Sequence, residues 1–138
     1  MQRLQSVQNA AACLVTGTRW CDHITPVFRQ LHWLPVRQRI HFKNTGCVFQ
    51  ALTGQTPAYL ADDCRLISDS DRRRLRSSDI RTCVTRRTST RFGDRSFSAA
   101  GPQVWNGLPS ALQAPDLTFD RFKRGLKTYL FTLLFTLV

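Results

Sequence analysis

The stretch DLTFDRFKRGLKTYLFTL, residues 116–133, decides the fold class. Phe119, Phe122, Leu126, Tyr129, Leu130 and Leu133 recur in it at i, i+3, i+7, i+10, i+11 and i+14. That is the period of one face of an α-helix, and Arg121, Lys123, Arg124 and Lys127 fall on its other faces. Asp116 stands where a capping side chain could accept the first backbone N–H groups. The same period recurs toward the N-terminus. Leu4, Val7, Ala11, Leu14 and Val15 mark a helix over residues 2–15, with Gly17 as its stop. Ile24, Val27, Phe28 and Leu31 mark a shorter one behind a capping Asp22, with Pro26 in its first turn. Trp33, Leu34 and Pro35 then turn the chain, and Val36, Ile40, Cys47, Val48, Ala51 and Leu52 give a helix over 36–52 that ends before Gly54. Residues 57–64, PAYLADDC, fit a short helix opened by Pro57.

The reading is therefore a mainly α, small helical domain, with two weak places. Asn44-Thr45-Gly46 interrupts the apolar face of the third helix, where Gly46 alone costs about 1 kcal/mol relative to Ala. In residues 95–112, Phe97, Val104, Trp105, Leu108 and Leu112 are divided by Gly101-Pro102 and by Gly107-Leu108-Pro109, which predicts two short helical turns joined by tight bends. Between these helical parts, residues 65–95 carry ten Arg against four Asp, filled in with Ser and Thr. The expectation there is an Arg-rich irregular loop, with an extended piece at Ile80–Arg86 and room for one short β-hairpin. A chain of 138 residues suits one domain. It is organised as a helical part (1–64), a basic loop (65–95) and a second helical part (96–138), the two helical parts packing together.

Lys and Arg number 20 against 9 acidic residues, a formal net charge of +11. Seventeen of the basic residues are Arg and every acid is Asp. Such a surplus favours a polyanionic partner, RNA or DNA, and arginine is the better phosphate fork. A G+C-rich coding stretch under weak selection would give the same bias. The nucleic-acid-binding surface is assigned to Arg72, Arg73, Arg74, Arg76, Arg81, Arg86, Arg87, Arg91 and Arg95. Trp20, Trp33 and Trp105 could stack on bases, but their apolar, turn-rich surroundings favour core packing.

Catalytic and metal chemistry finds little support. Cys13, Cys21, Cys47, Cys64 and Cys83 are odd in number, with no CxxC pair and no signal peptide, which points to free thiols inside the cell, in nucleus or cytoplasm. Cys21 and His23 could touch one metal ion, but no second pair lies at zinc-like spacing, and His32 and His41 stand alone. Tyr59-Leu60-Ala61-Asp62-Asp63 resembles the YxDD turn that holds Mg²⁺ in reverse transcriptases. That turn needs β flanks and a third carboxylate, whereas Pro57 opens a helix here, so Asp62 and Asp63 are read as solvated helix-end charges. No nucleophile elbow, P-loop or dinucleotide fingerprint is present, so no catalytic residue, cofactor or small-molecule substrate is assigned. The last eleven residues, TYLFTLLFTLV, carry no charge but fall short of the about 20 that span a bilayer. They are expected to pack on a protein surface, with no membrane partner.

Several ordered strings go beyond composition: LQSVQNAAACLVTGTRWCDHITPVFRQLHWLPVRQRIHFK, ALTGQTPAYL, LRSSD, RFGDRSFSAAGPQVWNGLPSAL and FDRFKRGLKTYLF. Over roughly Leu4 to Phe131 the chain resembles the region downstream of the polymerase domain in LINE-type, non-LTR retrotransposon reverse transcriptases. The resemblance implies RNA-templated DNA synthesis primed at a nicked target, with polymerase, its Mg²⁺ and commonly an endonuclease lying upstream. This chain would then be a non-enzymatic fragment, a basic nucleic-acid-binding or scaffolding appendage that contacts RNA, DNA or the polymerase domain itself. Alternatives are a translated relic of a transposable element without a role, and a protein-docking module using the apolar C-terminal face. Asn44-Thr45-Gly46 and Gly101 depart from the family pattern, which has apolar residues and Ala there, and both are expected to loosen packing.

Overall fold

A computed structural model describes residues 2–69 and 81–136. Six α-helices follow in order: α1 (Gln2–Thr16), α2 (Ile24–Gln30), α3 (Val36–Leu52), α4 (Ala58–Ala61), α5 (Phe97–Asn106) and α6 (Phe119–Thr136). Short 3₁₀ turns lie at Ile67–Asp69, Gly93–Arg95 and Ser110–Leu112. The protein is mainly α, as its periodicity predicts. In place of a β-hairpin, the described residues hold a single antiparallel bridge between Leu66 and Cys83. The chain divides into two compact units, Met1–His41 with Leu130–Val138, and Phe42–Tyr129.

The first unit is built on α1 and α2. The left-handed Gly17 (φ +68°) stops α1, as expected. Its apolar stripe, however, is not its buried face: Leu4, Val7, Leu14 and Val15 are exposed, and Gln8 and Ala12 are buried. The reason is hydrogen bonding. Gln8 Nε2 donates to the Leu34 carbonyl (2.9 Å), and Gln5 Oε1 accepts the Val36 N–H (2.9 Å), an otherwise orphaned donor at the start of α3. Ala12 then fits against Val27 and Phe28, with Ile24, Leu31 and Trp33 around them. Asp22 does not cap α2. Its Oδ2 accepts the Arg19 N–H (3.2 Å), and His23 occupies the cap position without a side-chain bond. Past α2, Trp33 N–H donates to the Phe28 carbonyl (2.9 Å) across His32, which takes a left-handed φ of +52°. In the tail, Leu130 is buried and Phe131 meets His32 edge-on at 6.3 Å.

The second unit has an aromatic core. Phe49 of α3 stacks on Phe122 of α6 (4.3 Å between centroids, 19°) and lies 6.4 Å from Trp105 of α5. Phe122 and Trp105 are 5.9 Å apart, and Phe119 stacks on Phe49 at 5.8 Å. Leu126 and Val48 are buried in the same unit. The interrupted middle of α3 does not break it: Thr45 is fully buried and the helix runs unbroken to Leu52. Gln55 N–H then donates to the Gln50 carbonyl (2.9 Å) and Gly54 N–H to that of Ala51 (3.3 Å), around a left-handed Gly54.

Gly101-Pro102 likewise fails to split α5, and Pro102 lies inside the helix. A residue before proline avoids helical backbone because its Cβ crowds the ring; Gly101 has none. Nor is Gly101 a packing defect, since a Cβ there would meet Val48 Cγ2 at 3.1 Å and Phe97 Cε2 at 3.2 Å. At the start of α6, Thr118 rather than Asp116 stands before the first turn, its Oγ1 3.5 Å from the Arg121 N–H.

Gly46 offers a stability test. A Cβ there would meet nothing within 4 Å. Gly46→Ala is expected to raise stability by about 1 kcal/mol, seen as a higher urea midpoint with unchanged slope.

Candidate nucleic-acid interface

Of the nine arginines assigned to the surface, Arg72, Arg73, Arg74 and Arg76 lie outside the described residues. Of the other five, Arg81 lies just before the bridge residue Cys83, and Arg86, Arg87, Arg91 and Arg95 belong to the segment that leads from it into α5. Two neighbouring side chains at the end of α5 fix where this segment starts. Trp105 Nε1 donates to the Arg81 carbonyl (2.7 Å). Asn106 accepts the Cys83 N–H through Oδ1 (2.8 Å) and donates through Nδ2 to the Cys83 carbonyl (2.9 Å). The Asn106 amide thus does for Cys83 what a paired strand would do.

Beyond this clip the chain is solvent-facing from Val84 to Phe92. Arg86 lies 3.9 Å from Asp63, and Arg81 is half-buried, whereas Arg87, Arg91 and Arg95 are exposed. Residues 88–96 form a turn held by their own groups. Thr88 Oγ1 donates to Asp94, Gly93 N–H donates to Thr90 Oγ1 (3.1 Å), and Ser96 Oγ donates to the Gly93 carbonyl (2.6 Å). Phe92 sits on this turn with 84% of its surface exposed. An open aromatic ring thus stands between two exposed guanidinium groups, an arrangement that could stack on a flat ring and pair with anions.

The sequence reading missed both Phe92 and Asn106. Phe92 breaks no periodicity and reads as loop, although the Arg-Phe-Gly string carries the signal. Asn106 reads as part of the bend at Gly107. A second basic run, Arg121, Arg124 and Lys127, is exposed on α6 at a spacing of three residues. Lys123 in the same stretch is engaged, 3.0 Å from Asp120 and 4.5 Å over the Phe119 ring. Its hydrogen bond holds the Asp120 carboxyl below the usual range. Of the three tryptophans, Trp105 is fully buried and Trp33 half-buried, but Trp20 is 78% exposed, against the expectation of core packing.

Within the Tyr59–Asp63 string, Tyr59–Ala61 is helical: α4 begins after Pro57, and Asp62 and Asp63 follow its end. Asp62 lies 3.4 Å from Arg65, and Asp63 pairs with Arg86. Both border a 690 Å³ cleft that Asp69 and Cys83 also line. Among the described residues no three His, Cys, Asp or Glu side chains stand close enough to hold a metal ion, and no helix is long and apolar enough to cross a membrane.

The cysteines are free thiols, of which Cys64 and Cys83 are buried and Cys21 exposed. Burial, reinforced by Asp63 and Cys47, pushes the Cys64 thiol up to about 11. Burial and then Cys64 push Cys83 up to about 12, with Arg81 opposing. Burial hides both sulfurs and disfavours their thiolates, so alkylation of Cys64 and Cys83 at pH 8 should lag that of the exposed Cys21. Asn106→Ala strands the Cys83 N–H and C=O, and Cys83 labelling should then accelerate by about tenfold, read by peptide mass mapping. Unchanged labelling would mean that Asn106 does not hold the segment.

Comparison with protein-family models, with curated proteins and with solved structures finds no match.

Proposed function

We propose that this chain is a basic nucleic-acid-binding appendage of a LINE-type reverse transcriptase. It holds RNA or DNA by the phosphate backbone while RNA-templated DNA synthesis, with its Mg²⁺, takes place in a polymerase domain elsewhere in the protein. The ordered strings from Leu4 to Phe131 support the family, and the +11 net charge supports the polyanionic partner. The observation that carries the reading is the turn at residues 88–96, where Arg91 and Arg95 flank an exposed Phe92 in a segment tied to α5. Phosphate contacts of this kind give affinity without sequence preference. In this role the chain performs no catalysis, and the acids nearest to the YxDD pattern serve as ion-pair partners of Arg65 and Arg86.

The test is a titration of labelled single-stranded RNA and duplex DNA with the purified chain at several salt concentrations. Binding that weakens steeply with salt supports the reading; a folded protein that binds neither at low salt removes it.

A second reading, a protein-docking module, gains support from α1 rather than from the C-terminal face. Leu4, Val7, Leu14 and Val15 form an exposed apolar stripe there. A complex formed through it would resist salt, which separates it from phosphate binding.

A further inference from the structure

We propose that the cleft beside Trp20, in the first unit, is a seat for one unpaired nucleobase of single-stranded RNA or DNA. The proposal rests on the reading that nucleic acid is the partner, and concerns a different place in the chain from the arginine segment.

The cleft has a volume of 490 Å³, within the roughly 300–1,000 Å³ usual for small-ligand sites. Ser6, Asn9 and Cys13 of α1 form one wall; Trp20, Asp22 and His23, in the turn between α1 and α2, form the other. The turn is held before any ligand arrives. Thr16 Oγ1 donates to the Ala12 carbonyl (2.9 Å) and lies 2.6 Å from Thr18 Oγ1. Arg19 and Asp22 close on each other through Asp22 N–H to the Arg19 carbonyl (3.0 Å) and Arg19 N–H to Asp22 Oδ2 (3.2 Å). Trp20, between them, therefore shows most of its surface to water on a fixed backbone.

An exposed indole at a cleft whose walls mix apolar Ile24 and Cys13 with polar Ser6, Asn9 and Asp22 matches a flat, polar-edged ring. Gln5 Nε2 donates to Asn9 Oδ1 (2.9 Å), so the Asn9 Nδ2 group remains as a donor, while the Asp22 carboxylate accepts. A purely aliphatic ligand would leave these groups desolvated and unmatched. A nucleobase offers a π face to Trp20 and both acceptors and amino donors on its edge. Asp22 also disfavours a phosphate inside the cleft, so the base enters and the strand's phosphates stay outside, near the exposed Arg19.

The test uses the full chain, single-stranded RNA and DNA of one sequence, and an abasic strand of the same length. Trp20→Ala should weaken binding of the base-bearing strands by about tenfold, leaving abasic-strand affinity and salt slope unchanged. Loss with both RNA and DNA means that the base alone is read; loss with one identifies the sugar that the site accepts. Trp20→Phe keeps a ring and should recover most of the affinity. If Trp20→Ala melts the fold, Trp20→Leu, which keeps bulk but has no aromatic face, decides: it should lose affinity as Ala does, and wild-type affinity would overturn the proposal. Failure of the arginine reading is distinguishable. A chain that binds no strand electrostatically should still show quenching of Trp20 fluorescence by millimolar nucleoside monophosphate. Base-bearing strands bound equally well by wild type and Trp20→Ala, equal losses on abasic strands, or absent quenching would overturn the proposal.

Discussion

Phe49→Ala is expected to destabilise the second unit by about 3–5 kcal/mol, the range for removing a buried phenyl ring. Phe49 is only 2% exposed and touches three aromatic neighbours, Phe119, Phe122 and Trp105. Removing it therefore deletes area, leaves a cavity between α3, α5 and α6, and abolishes stacked pairs worth about 0.5–1.5 kcal/mol each beyond burial. Against a total stability of about 5–15 kcal/mol for an ordinary domain, that is a large share. Because Trp105 Nε1 holds the Arg81 carbonyl, collapse of this core should also release the arginine segment. Near-ultraviolet circular dichroism and urea unfolding check the result. A loss under 1 kcal/mol would mean that Phe49 is not central to the core.

The second large effect concerns binding. Replacing Arg86, Arg87, Arg91 and Arg95 together by Ala should lower affinity for single-stranded RNA roughly 100-fold at about 150 mM salt. Each neutralised phosphate contributes about 0.7 to the logarithmic salt slope, so four contacts change it by nearly 3. Arg86 is the weakest of the four, because Asp63 already lies 3.9 Å away. The fold should be little affected, since exposed ion pairs are worth about 0–1 kcal/mol. Arg121/Arg124/Lys127→Ala, on the exposed face of α6, is the comparison. If that variant loses affinity and the first does not, phosphate binding belongs to α6.

The helices were legible where apolar residues alone set the period. The face of residues 119–133 is such a case, since Phe122, Leu126 and Leu130 are all buried; in α3 the bounds agree with the sequence reading but the face only in part, with Val48 and Ala51 buried and Ile40 exposed. Legibility failed where hydrogen bonds or close approach override hydrophobicity. In α1, two glutamines tie the helix down through backbone groups of Leu34 and Val36, and the apolar stripe is left outside. Phe49 was missed because it lies one position past the face marked by Val48 and Leu52. Asp22 and Asp116 have the right chemistry for caps, but Asp22 closes its own turn and Thr118 stands nearer to α6. At the candidate interface, charge was readable from composition. The Asn106 clip was not, since it joins residues far apart in the chain, and Phe92 is recognisable only once its exposure is known.

Equilibrium binding of labelled single-stranded RNA between about 50 and 200 mM salt tests nucleic-acid binding most directly, with the fold monitored in the same samples. A logarithmic slope steeper than about −2 is expected, given phosphate contacts at three or more arginines. Absent binding, or a flat slope with folded protein, would contradict it.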